Sequence, residues 1–194
     1  MPLKQNSHTV FAILICMAFP ARAEGQRQLG AHVHGHGRLN IAMEDKTLSV
    51  ELEAPGADIV GFEHEPDTPA QAAALEEAKT KLAGGLSLFA PAAAAGCTQK
   101  SAKVSAEAGL GDGDGHEREG GRHAGDEAMH HHSEFHAEYV FECASPSRLA
   151  TMTFGYFKAF PNAQELDISL ISPKGQASYE VKRDRPSLDL TGIL

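Results

Sequence analysis

Alternation of apolar and polar residues, repeated in five short stretches, is the feature that most constrains the fold of this chain. Successive residues of a strand point to opposite faces, so each stretch is predicted to be a strand with one buried face. The turn sequences Asp45-Lys46 and Ser172-Pro173-Lys174-Gly175 join two pairs of these stretches and predict two hairpins. The alternating apolar positions are Leu39, Ile41, Met43, Leu48, Val50, Leu52, Phe135, Ala137, Tyr139, Phe141, Cys143, Leu166, Ile168, Leu170, Ala177, Tyr179 and Val181.

A third hairpin is predicted from a polar stretch that precedes residues 135–143. Cys97 opens this stretch, which is expected to be a strand that runs to about Ala106. If Cys97 lies opposite Cys143, Ala106 falls opposite Glu134, and the intervening loop becomes the tip of one hairpin. Opposed residues of antiparallel strands are close enough for a disulfide, which an oxidising compartment favours. Two thiolate ligands for a metal ion are the competing interpretation.

Two helices are predicted between and after these strands. Thr68 can cap the first helix, with Pro69 at its first position and Gln71 completing a capping box, and Gly84-Gly85 ends it. Ser145-Pro146 is typical of a second helix start. The fold class is therefore α+β, with a mostly antiparallel sheet of hairpins, two helices and a long disordered hairpin loop. The predicted apolar helix faces consist of Ala72, Leu75, Ala78 and Leu82, and of Leu149, Met152, Thr153, Tyr156, Phe157 and Phe160.

Residues 1–23 have the pattern of an export signal. Lys4 gives a positive start, residues 10–19 are mostly apolar, and small residues precede a cut before Glu24. The apolar stretch is too short to cross a bilayer, so the mature chain is not expected to span the membrane. We expect a periplasmic protein in which residues 24–194 form a single zinc-binding domain.

The acidic balance of the chain excludes some partners. Its formal net charge is −9 at neutral pH, and removal of the basic residues in the signal makes the mature chain more acidic. This balance argues against nucleic acid as a partner and suits a protein that binds cations.

The chain has eleven histidines, and most of them fall into two groups. The first group is His32, His34 and His36, just before the first strand. If this stretch is extended, its period of two places the three imidazoles on one face, where they can meet one ion. The glycines between them would let the backbone fold around that ion.

The second group lies in a Gly-, Asp- and Glu-rich loop, residues 107–133, which we call the histidine-rich segment. Its composition cannot bury enough apolar surface to offset its ordering entropy, so we expect a disordered chelator. His64, flanked by two glutamates, is a third candidate that could converge with the first group. The candidate ligands of the second group are His116, His123, His130, His131, His132 and, at the start of the next strand, His136.

Zinc is the metal that best fits these residues. Copper(I) prefers thiolate or methionine ligands, and the mature chain has few cysteines and methionines. Nickel and copper(II) stay open because imidazole binds both. A zinc hydrolase is the least favoured alternative, because no His-Glu-x-x-His helix is present and a disordered loop cannot hold a preorganised catalytic geometry. A metal-responsive adaptor would use the same residues as a binding protein, so this alternative stays open.

Several segments together resemble one known family. The chain combines a signal, a His-x-His-Gly start at residues 34–37, the Gly-Phe-Glu-His-Glu-Pro segment at 61–66, and the Phe-Lys-Ala-Phe-Pro segment at 157–161. With its central histidine-rich segment, it resembles the ZrgA-like family of bacterial periplasmic zinc-binding proteins over nearly all of the mature chain. The resemblance implies zinc acquisition alongside an ABC transporter, with no catalytic activity. It matches His32, His34, His36 and His64 to histidine positions of the family, and the loop histidines only by kind.

Overall fold

The alternating stretches pair into one large sheet in the computed structural model, which describes residues 33–108 and 133–193. The six strands of this sheet lie in the order β4-β5-β2-β1-β7-β8. All neighbours are antiparallel except β1 and β7, so the predicted α+β class with a mostly antiparallel sheet is confirmed. The strands are β1 (His36–Glu44), β2 (Thr47–Pro55), β4 (Cys97–Ala108), β5 (Ser133–Cys143), β7 (Glu165–Ser172) and β8 (Gly175–Lys182).

The two short hairpins form where the turn sequences predict them. Leu39 lies opposite Leu52 in the first hairpin, and Asp45 in its turn adopts a positive φ of 51°. Leu166 lies opposite Val181 in the second. The alternating apolar side chains of β1, β2 and β5 are buried on one face of the sheet, and the polar residues between them form the outer face.

The long-looped hairpin confirms the disulfide and corrects the register. Cys97 lies opposite Cys143, and the two residues are disulfide-bonded. A β-bulge between Gln99 and Ser101 then adds one residue to β4, so Ala106 pairs with Phe135 and not with Glu134 as predicted. The bulge occurs because the residues of β4 that face the core change from odd-numbered to even-numbered positions after Gln99. One extra residue keeps both parts of the strand facing the core.

The first predicted helix is confirmed as α2 (Pro69–Leu82). The backbone N–H of Gln71 donates to Thr68 Oγ1 at 3.2 Å, and the N–H of Asp67 donates to Gln71 Oε1 at 3.1 Å. The helix buries Ala78 and Leu82 near its C-terminal end. Three further helices have a single turn each: α1 (Gly56–Ile59), α3 (Gly85–Leu88) and α4 (Tyr156–Ala159).

The second predicted helix, over residues 145–160, is wrong. Residues 151–154 instead form a strand, because exposed threonines alternate there with buried Met152 and Phe154. This strand pairs on both sides and gives a second sheet that sequence reasoning missed. Gly155 then ends the strand beside the carbonyl of Ser87, too close for a side chain. The second sheet has the order β3 (Phe89–Pro91), β6 (Thr151–Phe154), β9 (Ser187–Asp189).

Aromatic rings join the inner face of the large sheet to the second sheet. Phe89 packs edge-on against Tyr139 of β5 and Phe154 of β6, and stacks on Tyr156. The hydroxyl of Tyr139 donates to the carbonyl of Leu82 at 2.8 Å, which also fixes the end of α2 in the core. The buried core contains most of the residues that the alternation pattern marks as apolar, whereas Ala177 and Tyr179 of β8 are only partly buried.

Two predictions concern residues that the structure does not describe. The proposed signal, residues 1–23, and residues 109–132 of the histidine-rich segment lie outside the described part of the chain. In the ranges that are described, no helix is long and apolar enough to cross a membrane.

Candidate metal centre

Both histidine groups connect to the same end of the large sheet. The first group leads into the start of β1, and the histidine-rich segment joins the end of β4 to the start of β5. His36 lies beside Glu165 at the start of β7, and Pro55 at the end of β2 lies beside Glu134. Strand pairing therefore places the described residues that flank the two histidine groups at the same end of the sheet, although they are far apart in sequence.

A tight turn directs His34 away from the line of β1. The N–H of His36 donates to the carbonyl of Val33 at 3.0 Å, and Gly35 has a φ of +88°. The carbonyl of Gly35 accepts the N–H groups of Gln164 and Glu165, both at 2.8 Å. The extended conformation that would place these imidazoles on one face is not present between His34 and His36, because this turn breaks the period of two there.

His34 meets a carboxylate on the connection between α1 and α2. Its Nε2 lies 3.0 Å from Oε1 of Glu63. The imidazole is 64% exposed and the carboxylate 16% exposed, so the pair opens to solvent on one side. Two ligands of a tetrahedral zinc ion, each about 2.0–2.1 Å from the metal, are roughly 3.3 Å apart. The pair therefore has close to the spacing that zinc requires.

Asp58 of α1 lies beneath this pair and is only 2% exposed. Its Oδ1 accepts the N–H of Gly35 at 2.7 Å, while its buried Oδ2 has no hydrogen bond to the described residues. Burial raises the pKa of Asp58. The hydrogen bond from Gly35 and the nearby charges of His34 and His36 oppose this shift, and the charge of Glu63 reinforces it. A buried carboxylate oxygen without a donor is the kind of group that a bound cation satisfies.

A second buried polar atom lies near Asp58. The hydroxyl of Tyr156 is fully buried and has no hydrogen bond to the described residues. Burial and the charge of Asp58 both raise the pKa of Tyr156, so this side chain is a neutral phenol. The floor of the site therefore holds one carboxylate oxygen, Oδ2 of Asp58, and one hydroxyl, that of Tyr156, to which the described residues make no hydrogen bond.

The remaining described histidines have different neighbours. His36 has its Nδ1 3.7 Å from Oε1 of Glu165, whose other oxygen contacts Lys182 at 3.1 Å. His64 hydrogen-bonds through Nδ1 to the carbonyl of Glu65 at 2.8 Å, and its Nε2 lies 3.5 Å from the Gln71 amide. The structure thus brings Glu63, the neighbour of His64 in sequence, against His34.

His136 lies on the outer face of the sheet at the base of the histidine-rich segment. Its Nε2 is 3.2 Å from Oε2 of Glu134 and 4.0 Å from Oε2 of Glu107. The other predicted ligands lie outside the described residues. They are His32, His116, His123, His130, His131 and His132.

An acidic cluster on β7 and β8 has a simpler account. Carboxylate oxygens of Glu165, Asp167 and Glu180 lie within 4.8 Å of one another. Lys182 contacts Glu165 at 3.1 Å and Glu180 at 3.6 Å, and most of the cluster is exposed. We therefore regard it as a solvated acidic surface and not as part of the centre.

A comparison with protein-family models identifies the family. The model described as "ZrgA family zinc uptake protein" matches residues 31–190. The chain belongs to the ZrgA family. The expected family is therefore confirmed, and a role connected with zinc uptake follows from it. No curated protein matches the chain.

Sequence reasoning missed two acidic groups that this ZrgA-family protein places beside its histidines. The sequence marks Glu63 only as a neighbour of His64. Asp58 has one weak signal in the sequence, an acidic residue directly before Ile59 and Val60. Neither residue could be assigned to His34 without the contacts between α1, the following connection and the turn at Gly35.

Proposed function

We propose that this protein captures zinc in the periplasm and buffers or delivers it for a transporter. The observation that supports the proposal most directly is the His34–Glu63 pair at 3.0 Å above the buried Asp58. Membership of a family described by zinc uptake supports the identity of the cargo. The set of imidazole and carboxylate donors is one that zinc accepts.

We assign the tight site to His34, Glu63 and Asp58. An ion bound by the His34–Glu63 pair would take Oδ2 of Asp58, which has no hydrogen bond to the described residues, as its third ligand once these side chains move together. His32, His36 and His64 flank these residues in sequence or in space and are proposed as additional ligands. The five histidines of the histidine-rich segment are proposed as a collector that raises the local concentration of zinc, because ligands joined to the same chain raise the effective concentration at a neighbouring site.

Calorimetric zinc titration of the mature protein tests the tight site. Glu63→Gln keeps the size of the side chain but removes a charged ligand, so we expect affinity at the tight site to fall by at least about tenfold. Glu142→Gln is the matched control, because Glu142 pairs with Lys100 at the other end of β5 and should leave zinc affinity unchanged. Equal affinities for wild type and Glu63→Gln would contradict the assignment.

Zinc, nickel and copper(II) can be separated only under competition, since copper(II) binds most such sites more tightly. We expect protein isolated from the periplasm to carry zinc as its main metal. Elemental analysis of the native protein measures its metal content directly, and a predominance of nickel or copper would contradict zinc as the natural cargo. N-terminal sequencing of the same material should begin at Glu24 if residues 1–23 are an export signal.

The partner is proposed to be a component of an ABC-type zinc transporter. Capture of that component by the zinc-loaded protein, and weaker capture by the metal-free protein, would support delivery. Capture of a sensor protein would favour the adaptor alternative. We propose no catalytic activity, and the family description names uptake and no reaction.

A further inference from the structure

The register of β4 and β5 brings a second set of metal-binding side chains together. The bulge after Gln99 places Glu107 directly opposite Glu134 on the outer face of the sheet. His136 follows on the same face of β5, because alternate residues of a strand point the same way. Without the bulge, Ala106 would take the position of Glu107, and β4 would offer no carboxylate beside Glu134 and His136.

The distances around His136 are close to those of ligands that share an ion. Its Nε2 lies 3.2 Å and 4.0 Å from carboxylate oxygens of Glu134 and Glu107. Tetrahedral zinc places its ligand atoms roughly 3.3 Å apart, so the Glu134 contact already has this spacing, and Glu107 would have to turn toward His136 to reach it. Glu107 is 69% exposed, which leaves its side chain room to move.

The Nε2 atom of His136 lacks the hydrogen bond that a shielded imidazole nitrogen usually makes. It is shielded from solvent and makes no hydrogen bond to the described residues, although a carboxylate oxygen lies beside it. The Glu134 side chain is only 6% exposed. A polar nitrogen that is shielded from solvent without a hydrogen bond is costly, and a cation bound beside the Glu134 carboxylate would give this nitrogen a partner.

Arg38 brings a competing positive charge to the same carboxylates. Its Nη2 lies 2.6 Å from Oε2 of Glu53 and 3.8 Å from Oε1 of Glu134. Glu53 is also the residue opposite His136 in the register. A fixed cation at this position reduces the attraction of Glu134 for a second cation, so it would weaken metal binding without preventing it.

We propose that Glu107, Glu134 and His136 form a second site for a divalent zinc-like ion, and that Arg38 keeps this site weaker than the first. The inference rests on the proposed function, since it treats zinc as cargo. The site lies where the histidine-rich segment meets the sheet. Ser133 at this base donates to the carbonyl of Phe62 at 3.5 Å, so the second site borders the connection that carries Glu63.

The test uses the full mature chain with zinc as the probe. The five histidines of the histidine-rich segment are first replaced by asparagine, so that they no longer hide a weaker site: His116, His123, His130, His131 and His132. Calorimetric titration of this variant should then show two sites of different affinity. Adding His136→Asn should remove the weaker one, and adding Glu63→Gln should weaken the tighter one.

Arg38→Gln provides a readout that a merely structural role would not produce. We expect the weaker site to become about tenfold tighter, because a competing unit charge close to its carboxylates is removed. Lys103→Gln is the matched control, since Lys103 pairs with Glu138 on the same face at 3.3 Å and should change affinity little. A gain of affinity cannot be produced by a variant that folds poorly.

The outcomes separate the two proposals. If His136→Asn leaves both sites intact, or if Arg38→Gln fails to tighten the weaker site, the second site is refuted. If Glu63→Gln changes nothing while His136→Asn removes a site, the first assignment fails and the second stands. Anomalous diffraction at the zinc edge gives an independent check, with a peak expected within about 2.2 Å of Nε2 of His136.

Discussion

Removal of the disulfide is the perturbation whose cost follows most directly from the structure. The Cys97–Cys143 bridge closes a segment of 46 residues that contains both long strands and the histidine-rich segment. Cross-linking a segment of this length lowers the entropy of the unfolded chain, and the chain-entropy relation gives about 4 kcal/mol of stabilisation at 25 °C. We therefore expect Cys97→Ala/Cys143→Ala to lose about 4 kcal/mol of unfolding free energy. For a domain of this size the melting temperature should fall by roughly 8–16 °C.

Urea unfolding and scanning calorimetry of the metal-free protein measure this loss. The control is Thr98→Ala/Glu142→Ala, which changes the next directly opposed pair and should cost no more than about 1 kcal/mol. The bridge lies at the end of β4 and β5 farthest from His136, so zinc affinity of the folded variant should equal that of wild type. A loss below about 1 kcal/mol would refute the reasoning, because the closed segment would then not be restricting the unfolded chain.

Three further predictions concern buried polar groups and pH. Asp58→Asn should weaken zinc binding and yet stabilise the metal-free protein at neutral pH. Burial raises the pKa of Asp58 above its value in the unfolded chain, because the charged form is disfavoured in the folded protein. Below the unfolded pKa the neutral side chain costs no stability, and as the pH rises through the folded pKa the buried charge increasingly destabilises the fold. The melting temperatures of metal-free wild type and metal-free Asp58→Asn should therefore become equal as the pH falls to about 4. A difference that grows on acidification would contradict a raised pKa of Asp58. Arg183→Lys should cost about 2–3 kcal/mol in urea unfolding, because the guanidinium donates to the carbonyls of Phe157, Phe160, Pro161 and Ala163 and lysine cannot reach them all. An unchanged midpoint would show that water replaces those bonds. Zinc affinity of the wild type should drop as pH falls through about 6.5, the ordinary range of imidazole, and equal affinity at pH 5 and pH 7.5 would argue against histidine ligation.

The parts of the fold that the sequence predicts well depend on local patterns. The hairpin at Asp45-Lys46 and the helix that begins after Thr68 follow from alternation, turn residues and capping, all of which act over a few residues. The stretch 145–160 shows where such patterns fail. Its apolar residues fit a helical face, but the two strands that pair with β6 offer backbone partners that no local pattern can reveal.

The bulge in β4 lies between these two cases. The change from odd-numbered to even-numbered apolar positions after Gln99 is visible in the sequence once the pairing is known. Taken alone, the disulfide fixes only one end of the hairpin, and the register at the other end depends on the extra residue. This single residue decides whether Ala106 or Glu107 faces Glu134.

By itself, the sequence determined that the chain masses imidazoles at two places and alternates apolar residues along several strands, because both are properties of composition and short-range order. Only the tertiary structure decided which carboxylates meet those imidazoles. Glu63 reaches His34, and Glu107 reaches His136, through pairings between residues that are distant in the chain, whereas Glu134 lies two residues before His136 on the same strand. The physical reason is that a metal ion selects ligand atoms by their spacing over a few ångströms. That spacing is set by strand register and by buried turns, which exist only after the core has packed.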